Sequence, residues 1–474
     1  MSVISPRWRR WIRYWPETGL TLLLLFFTLR KLGDFPASWA DEGLFITVAK
    51  MVALGHGYTL PLLGYQWAYP YFLNVGPTLI YPVALSLKLF GISTAAARIP
   101  MALYLFAATG AFYAFASAIN GRNAARWATL LLITVSAYIN TGKPVLGEIP
   151  AFFFLLLGLL SLCLPRGWKR DGGAGLAFGL AFLTKITYGL VLPALGIAWI
   201  AALWKRDWRE VRSLTVVGLL TILVYIPWRV LEMTHTLGGS LMAELHNFLV
   251  GKGGDTTSFY ILRTHPEELL RLPFLAFTVF LLAGGIGLFF SRRRLGRTLS
   301  LTIGTLIALF ILYFLNGFGW YRLLLPGHLL LLLFVPTGLH KMMDKRLTAV
   351  FLMMICAAQA WWQFTYQGSS NSLEGAEAAT YIETHDQQTN LLIAQTEVFA
   401  RLPDNPHWLF LSPNLSFSLP RQFIQPTPEQ CRWPVLLKLS QQDQQKYKPA
   451  QLTQVARRYF LIAAPYHCPP TLNE

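Results

Sequence analysis

The sequence predicts a polytopic α-helical membrane protein that ends in a small soluble α/β domain. Of its 474 residues, 54% are hydrophobic and only 13% are charged, which is far from the composition of a soluble domain. The apolar residues come in blocks of about 17–22, the length that a helix needs to cross a bilayer. Lipid cannot satisfy backbone polar groups, so these blocks must be helices. From residue 367 onward the chain is polar, with a helical stretch near 372–385 and the strand-like runs LLIAQ and YFLIAA.

The charges of the short loops set the predicted topology. Basic loops stay on the cytoplasmic side of a membrane. If the Pro- and Gly-rich segment 76–91 does not cross, the five basic loops 121–126, 165–170, 205–212, 292–297 and 341–346 all lie on that side. The preferred count is then about eleven spans, with twelve or thirteen as alternatives. These spans are 17–33, 98–118, 124–140, 148–164, 172–187, 188–204, 212–231, 271–290, 299–316, 321–339 and 347–366.

This topology divides the chain into two predicted domains. Residues 1–366 form the transmembrane module, whose first outer loop is 34–97, and residues 367–474 form the extracytoplasmic domain. The outer loop 232–270 contains an amphipathic pattern around 240–250 followed by GKGG, which fits either a substrate lid or an ordinary loop. In the tail, Cys431 and Cys468 form a disulfide only if this domain faces an oxidising compartment.

Two general features leave alternatives. The net charge of +17 raises nucleic-acid binding, but the basic residues lie between apolar blocks and therefore indicate orientation. Membrane lipids, and not nucleic acid, are the expected surroundings. The sequence ASWA at 37–40 resembles a signal-peptide cleavage site, although the many later spans need no cleaved signal.

The stretch 35–59 carries the first candidate site residues. Asp41 and Glu42 are adjacent carboxylates at the start of a helical pattern with one apolar face. The alternative is structural, because acids favour a helix N-terminus and Ser38 is placed to cap this helix, with Asp41 as the capping-box acid.

Further candidates lie near the predicted outer ends of other spans. Glu148 opens an apolar span, where an ionisable side chain is a functional candidate. The candidate cations are Lys143, Lys185, Arg322 and Arg98. The structural alternatives are a favourable helix dipole for Glu148 and snorkelling to the interface for the cations. His328 lies deeper and is expected to pack in the core.

Carboxylates and cations that face one outer cavity favour glycosyl transfer. A carboxylate can remove a proton from an acceptor hydroxyl or amine. Arginine and lysine can bind a phosphate and stabilise it as a leaving group. A sugar linked through phosphate to a lipid carrier would meet both groups at the membrane edge.

The segments WADEGLFITVAKMVALGHGY, KLFGISTAAARIP, GKPVLGEIPAFFFLLLGLLSL and LAFLTKITYGLVLP resemble the GT-C glycosyltransferase superfamily. Within it, they are similar to the branch of protein O-mannosyltransferases and the lipid A aminoarabinose transferase. The resemblance implies a polyprenyl-phosphate sugar donor, transfer on the extracytoplasmic face to a lipid, glycan or protein, and inversion at the anomeric carbon. It implies Asp41 as general base with Glu42 supporting the site. The compactness of the chain and its lack of ER-type signals favour a bacterial inner membrane, with the site and the tail domain facing the periplasm.

The chain departs from this family in the first loop. Many relatives carry a Lys-Pro-Pro element there that contacts the carrier phosphate, whereas the corresponding stretch here reads LNVGPTLIYP. Phosphate binding is therefore assigned to other cations, of which Lys185 and Arg322 are favoured, with Lys143 and Glu148 as further substrate-binding residues. Because Glu148 stands alone in the second loop, no cofactor is predicted, and a divalent metal is an alternative only. A transporter or flippase of lipid-linked sugars is the alternative function, and a non-catalytic scaffold is a third.

Overall fold

In the computed structural model, residues 6–235 form a series of helices, with a short β-hairpin between the second and the third helix. The structure describes residues 6–235, 267, 272–316, 321–369, 373–411, 425–448 and 451–463. The helices up to the middle of the chain are α1 (Pro6–Leu29), α2 (Ala40–Leu54), α3 (Pro77–Phe90), α4 (Thr94–Asn120), α5 (Arg122–Thr134), α6 (Ser136–Gly142), α7 (Glu148–Leu162), α8 (Trp168–Thr184), α9 (Val191–Trp204) and α10 (Trp208–Thr234). A 3-10 turn, Ile186–Leu190, connects α8 to α9.

The second part of the bundle leads into the C-terminal domain. Its helices are α11 (Leu272–Asn316), α12 (Tyr321–Leu332), α13 (Val335–Met342) and α14 (Lys345–Ser369). The domain that follows contains α15 (Glu374–His385), β3 (Leu391–Ile393), α16 (Thr396–Phe399), β4 (Trp408–Phe410), β5 (Val435–Lys438), α17 (Gln441–Gln444), β6 (Leu452–Ala456) and β7 (Tyr459–Ile462).

Five helices of the described residues are long and apolar enough to cross a membrane. They are Thr94–Asn120, Ile186–Trp204, Trp208–Thr234, Phe277–Asn316 and Lys345–Tyr366. The pair α12 and α13, bent by 56°, makes a sixth if it acts as one broken span. The predicted fold class, a polytopic helical membrane protein with a small C-terminal sheet domain, is confirmed.

The predicted span 17–33 overlaps the 24-residue helix α1, which ends at Leu29, and most of the other predicted spans correspond to helices that are short or broken. The span 124–140 is divided at Val135 into α5 and α6. The spans 271–290 and 299–316 belong to α11, which has a non-helical residue at Gly296. The helices α7 and α8 have only 15 and 17 residues. The count of eleven to thirteen crossings therefore stays a prediction.

The segment that was expected not to cross is the 14-residue helix α3. Pro77 occupies its first turn, where the missing amide hydrogen costs no hydrogen bond, and Gly91 follows its end. Its inner face packs with α2 in a hydrophobic cluster that also includes residues of the C-terminal domain. The helix is thus held against protein, as a non-crossing segment needs.

The C-terminal domain is built on a five-stranded sheet of order β4-β3-β5-β7-β6. The strand β3 is parallel to both its neighbours, whereas β7 runs antiparallel to β5 and β6. The domain also contacts the hairpin of β1 (Thr59–Leu62) and β2 (Tyr65–Ala68), because the Leu63 amide donates to the Phe410 carbonyl at 2.9 Å. The boundary predicted at 366 and 367 therefore joins two parts that share one core.

Three features predicted from the sequence lie outside the described residues. The amphipathic helix around 240–250 and the GKGG hinge lie outside them, as does Cys468. Cys431 is disulfide-bonded, while Cys163 and Cys356 are free thiols.

Candidate active site

The helix α2 carries the two adjacent acids in its first turn. It begins at Ala40, one residue before Asp41, and its N-cap residue is Trp39, whose side chain makes no capping hydrogen bond. The prediction that Ser38 caps this helix is therefore wrong. The acids still lie where the helix dipole favours negative charge. Their side chains point to different partners, which separates their roles.

Asp41 forms an ion pair with Arg322 at the start of α12. The Arg322 Nη1 atom donates to Asp41 Oδ2 at 2.6 Å. The Asp41 side chain is 32% exposed, and the guanidinium of Arg322 lies 4.8 Å from the ring centroid of Trp39. Within the described part of the chain, no hydrogen bond engages Asp41 Oδ1. Asp41 is thus oriented by a cation and still open to solvent.

Glu42 is fully buried in a bidentate pair with Arg98. Two nitrogens of Arg98 donate to its two oxygens, both at 2.7 Å, and the Val145 amide donates at 3.0 Å. Arg98 also donates to the carbonyls of Leu32 and Pro36. This network connects α2, α4 and the loop before α7. Glu42 holds α2 in place and touches no open space, which fits a supporting role for the site.

Glu148 and Lys185 form a second ion pair at the same end of the bundle. Lys185 Nζ donates to Glu148 Oε1 at 2.7 Å. Glu148 Oε2 is buried and has no hydrogen-bond partner among the described residues. The charge of Arg322 also acts on this carboxylate. The structure therefore brings Asp41, Arg322, Glu148 and Lys185 to the same end of the bundle, and their joint role as a substrate site stays a prediction.

Lys185 lies beside the segment of the first loop that lacks a lysine. Val75, in the stretch LNVGP, forms a β-bridge with Lys185. The Gly76 amide donates to the Thr184 carbonyl, and the Ile186 amide donates to the Asn74 carbonyl, both at 3.3 Å. A Cβ on Gly76 would lie 2.0 Å from the Leu183 carbonyl oxygen, so this approach requires glycine. Lys185 is thereby fixed beside the loop segment that lacks a cation.

Lys143 lies apart from these pairs. Its ammonium is buried, donates to the Arg30 carbonyl at 2.6 Å and lies 5.5 Å from the ring centroid of Phe35. Burial, together with the charges of Arg98 and Arg30, lowers its pKa to about 7. The structure gives this residue a place between α1 and the second loop, and its role in substrate binding stays a prediction. His328 is buried and hydrogen-bonded to Tyr321, in agreement with a core position.

Sequence reasoning missed the contact of the C-terminal domain with α2. The Thr396 hydroxyl donates to the Ala40 carbonyl at 2.8 Å, next to the two acids. Lys50, buried on the same helix, donates to the carbonyls of Phe399 and Leu402, both at 3.1 Å. Burial lowers the pKa of Lys50 to about 8. A lysine within an apolar helical pattern was the available signal, but its partners lie some 350 residues away.

A site for a metal ion was not predicted. Within the described ranges, no group of three or more His, Cys, Asp or Glu side chains is placed to hold one. Asp41 and Glu148 each face a cation, so their charges are already balanced. The absence of a required metal remains a prediction.

Comparison with known proteins identifies the fold of the chain. Residues 74–230 match the family model described as dolichyl-phosphate-mannose-protein mannosyltransferase. The structure of ArnT from Cupriavidus metallidurans bound to undecaprenyl phosphate has a TM-score of 0.69 and 16% identity, and the match covers 95% of this chain and 98% of that one. The chain has the GT-C fold. Its resemblance to this superfamily, predicted from the residues around Asp41 and Glu148, is confirmed.

The GT-C fold is shared with a second solved protein that is similar to this chain. The oligosaccharyltransferase AglB from Archaeoglobus fulgidus, in complex with an inhibitory peptide and a dolichol-phosphate, has a TM-score of 0.57 and 12% identity. That match covers 86% of this chain and 65% of AglB. No curated protein sequence matches the chain. At 16% and 12% identity, the two solved structures establish the fold of this chain.

Proposed function

We propose that the protein transfers a sugar from a polyprenyl-phosphate donor to a lipid, glycan or protein acceptor. The observation that carries the proposal is the partly exposed Asp41, held by Arg322 beside the pair of Glu148 and Lys185. It stands in a fold similar to that of a protein solved with undecaprenyl phosphate bound. Two carboxylates and two cations at one end of the bundle match the demands of such a transfer.

In the proposed reaction, Asp41 acts as general base. Its carboxylate accepts the proton of the acceptor hydroxyl or amine as that atom attacks the anomeric carbon of the sugar. The bond between this carbon and the phosphate oxygen breaks, and its electron pair stays on the polyprenyl phosphate. Attack opposite the leaving group inverts the anomeric configuration. Arg322 orients the base, and Glu42 fixes the helix through Arg98.

The leaving phosphate is assigned to Lys185 and Arg322. Both cations lie at the end of the bundle where Asp41 opens to solvent, and Lys185 is bridged to Val75 in the first loop. Cations fixed in advance stabilise charge that develops on a leaving phosphate. Glu148 Oε2, which has no hydrogen-bond partner among the described residues, is proposed to accept a hydrogen bond from the bound substrate.

The proposed site lies on the periplasmic face of a bacterial inner membrane. The basic loops at 165–170 and 205–212 lie at the other end of the helices that lead to the site, which supports this orientation. The C-terminal domain contacts α2 directly, so it lies on the same side as Asp41.

Asp41→Asn tests the base directly. With purified donor and acceptor, we expect the variant to fold normally and to lose about 100- to 10,000-fold in kcat. Asp443→Asn, in the exposed helix α17 where Asp443 pairs with Lys446, is the matched control and should retain full activity. Wild-type turnover by Asp41→Asn refutes its assignment as base. Movement of the lipid-linked sugar across proteoliposomes without product formation supports the transporter hypothesis instead.

A further inference from the structure

A cavity of about 410 Å³ lies at the end of the bundle opposite Asp41. The helix α7 begins at Glu148 in the candidate site and ends at Leu162 in the cavity wall, about 22 Å further along its axis. The cavity is formed where α7 and α8, α9 and α10, and the two halves of α11 are joined. No group of the proposed reaction lies there.

The charged residues of the cavity are more basic than acidic. Four cations and two carboxylates line it, namely Arg166, Arg170, Lys205, Arg297, Asp207 and Glu210. Both carboxylates are engaged by the first two arginines: Arg166 pairs with Asp207 and Glu210, both at 2.8 Å, and Arg170 pairs with Glu210 at 2.7 Å. The remaining cations carry the excess positive charge.

Three nitrogen-bearing groups are left to receive an anion. Lys205 and Arg297 are exposed at the rim and have no ion pair with any described residue. Arg170 is 5% exposed, and its Nε atom is buried without a hydrogen-bond partner in the described ranges. A buried guanidinium nitrogen without an acceptor is costly, so a ligand oxygen here would be stabilising.

The rest of the wall is apolar, and the surroundings are those of a membrane interface. Leucines and alanines line the cavity beside the cations, namely Leu162, Leu164, Ala198, Ala201, Ala202, Leu295, Leu299 and Leu301. Three tryptophans near it, Trp168, Trp204 and Trp208, are 81%, 86% and 64% exposed. Exposed tryptophans at helix ends mark the level of lipid headgroups.

From these observations we infer that the cavity binds the phosphate of an anionic phospholipid. The phosphate oxygens contact Lys205, Arg297 and Arg170 Nε, and the glycerol and the start of the acyl chains lie along the apolar wall. Basic pockets between transmembrane helices bind anionic headgroups in this way. A free phosphate ion shares the anionic chemistry but would make no use of the apolar wall.

Thermal unfolding of the full-length protein in detergent tests this inference. Mixed micelles with phosphatidylglycerol are expected to raise Tm with a saturable dependence on lipid, because a ligand that binds the folded state stabilises it. Phosphatidylcholine and inorganic phosphate at matched concentrations are expected to leave Tm unchanged. An equal rise with inorganic phosphate overturns the lipid assignment, and no rise with phosphatidylglycerol overturns the site itself.

Two double variants locate the effect. Lys205→Gln with Arg297→Gln removes both rim cations and is expected to weaken phosphatidylglycerol binding at least roughly tenfold. Arg212→Gln with Lys345→Gln is the matched control, since both residues are exposed, carry the same charge and do not line the cavity. Equal weakening by the two double variants shows general attraction of the basic surface and refutes the site. Glycosyl transfer does not enter these measurements, so a failed proposal for the reaction leaves their outcome unaffected.

Discussion

Replacing Glu42 by glutamine should destabilise the protein far more than the same change in an exposed pair. Glu42 and Arg98 have side chains with 0% exposure, and the carboxylate accepts three hydrogen bonds. The amide that replaces this carboxylate would place an N–H group, a donor, at one of the two oxygen positions that Arg98 now contacts at 2.7 Å. Arg98 would remain charged, buried and only partly paired. Breaking a buried ion pair from one side costs about 3–5 kcal/mol.

The measurement is the free energy of unfolding in mixed micelles titrated with sodium dodecyl sulfate. Glu374→Gln is the control, because Glu374, whose side chain is 15% exposed, pairs at 2.8 Å with Arg458, whose side chain is 56% exposed. An ion pair with one exposed partner contributes about 0–1 kcal/mol. The double variant Glu42→Gln with Arg98→Gln should cost less than the sum of its single variants, since the buried charge is removed. If Glu42→Gln and Glu374→Gln lower stability equally, the burial argument fails.

Three further predictions concern α2 and the candidate site. Gly43→Ala places a Cβ 2.4 Å from the Thr396 carbonyl carbon, so Tm and transfer activity should both fall. Gly110→Ala is the control and should leave both unchanged, because no atom lies within 4 Å of the added Cβ. Equal effects of the two variants contradict the contact between Gly43 and Thr396. The pKa of Lys50 is lowered from 10.5 to about 8 in the folded protein. Between these two pH values the unfolded chain binds more protons than the folded one, so the free energy of unfolding should rise with pH. Tm measured against pH should lose that rise in Lys50→Met, and an unchanged profile refutes it. Transfer activity should survive removal of divalent cations with EDTA, and loss that is restored by added metal contradicts the metal-free prediction.

The fold was accessible from the sequence because its signals are local. The apolar blocks, the basic loops and the start of the polar tail can each be recognised from the composition of some twenty consecutive residues. The broken helices were harder to predict, since α5 and α6 are interrupted at Val135 within an apolar run that has no proline or glycine at the break. No residue type in this run marks the break.

The candidate site was only half accessible, because the sequence shows charges but not their partners. Asp41, Glu148, Lys185 and Arg322 were named as candidates, yet Asp41 and Arg322 are separated by 281 positions. Arg98 was counted among the cations, and only its bidentate contact with Glu42 shows that it is structural. Pairing of this kind depends on the arrangement of the whole bundle.

The helix pattern of α2 shows the same limit. The spacing predicted one apolar face, but Val48 and Met51 are buried as well. The helix is covered on one side by α3 and on another by the C-terminal domain, which meets Gly43 backbone to backbone. The buried ammonium of Lys50 is stabilised there because two carbonyls of the C-terminal domain accept its hydrogen bonds.

The contact of Thr396 with Ala40 has a consequence for how the protein is made. Thr396 leaves the ribosome 356 residues after Ala40. At about 5–20 residues per second, synthesis of the intervening chain takes roughly 20–70 seconds. During that interval α2, which carries Asp41, is not yet covered by the C-terminal domain. The support of α2 is therefore completed only after Thr396 has been made, and a nascent chain released before that point carries Asp41 and Glu42 without it.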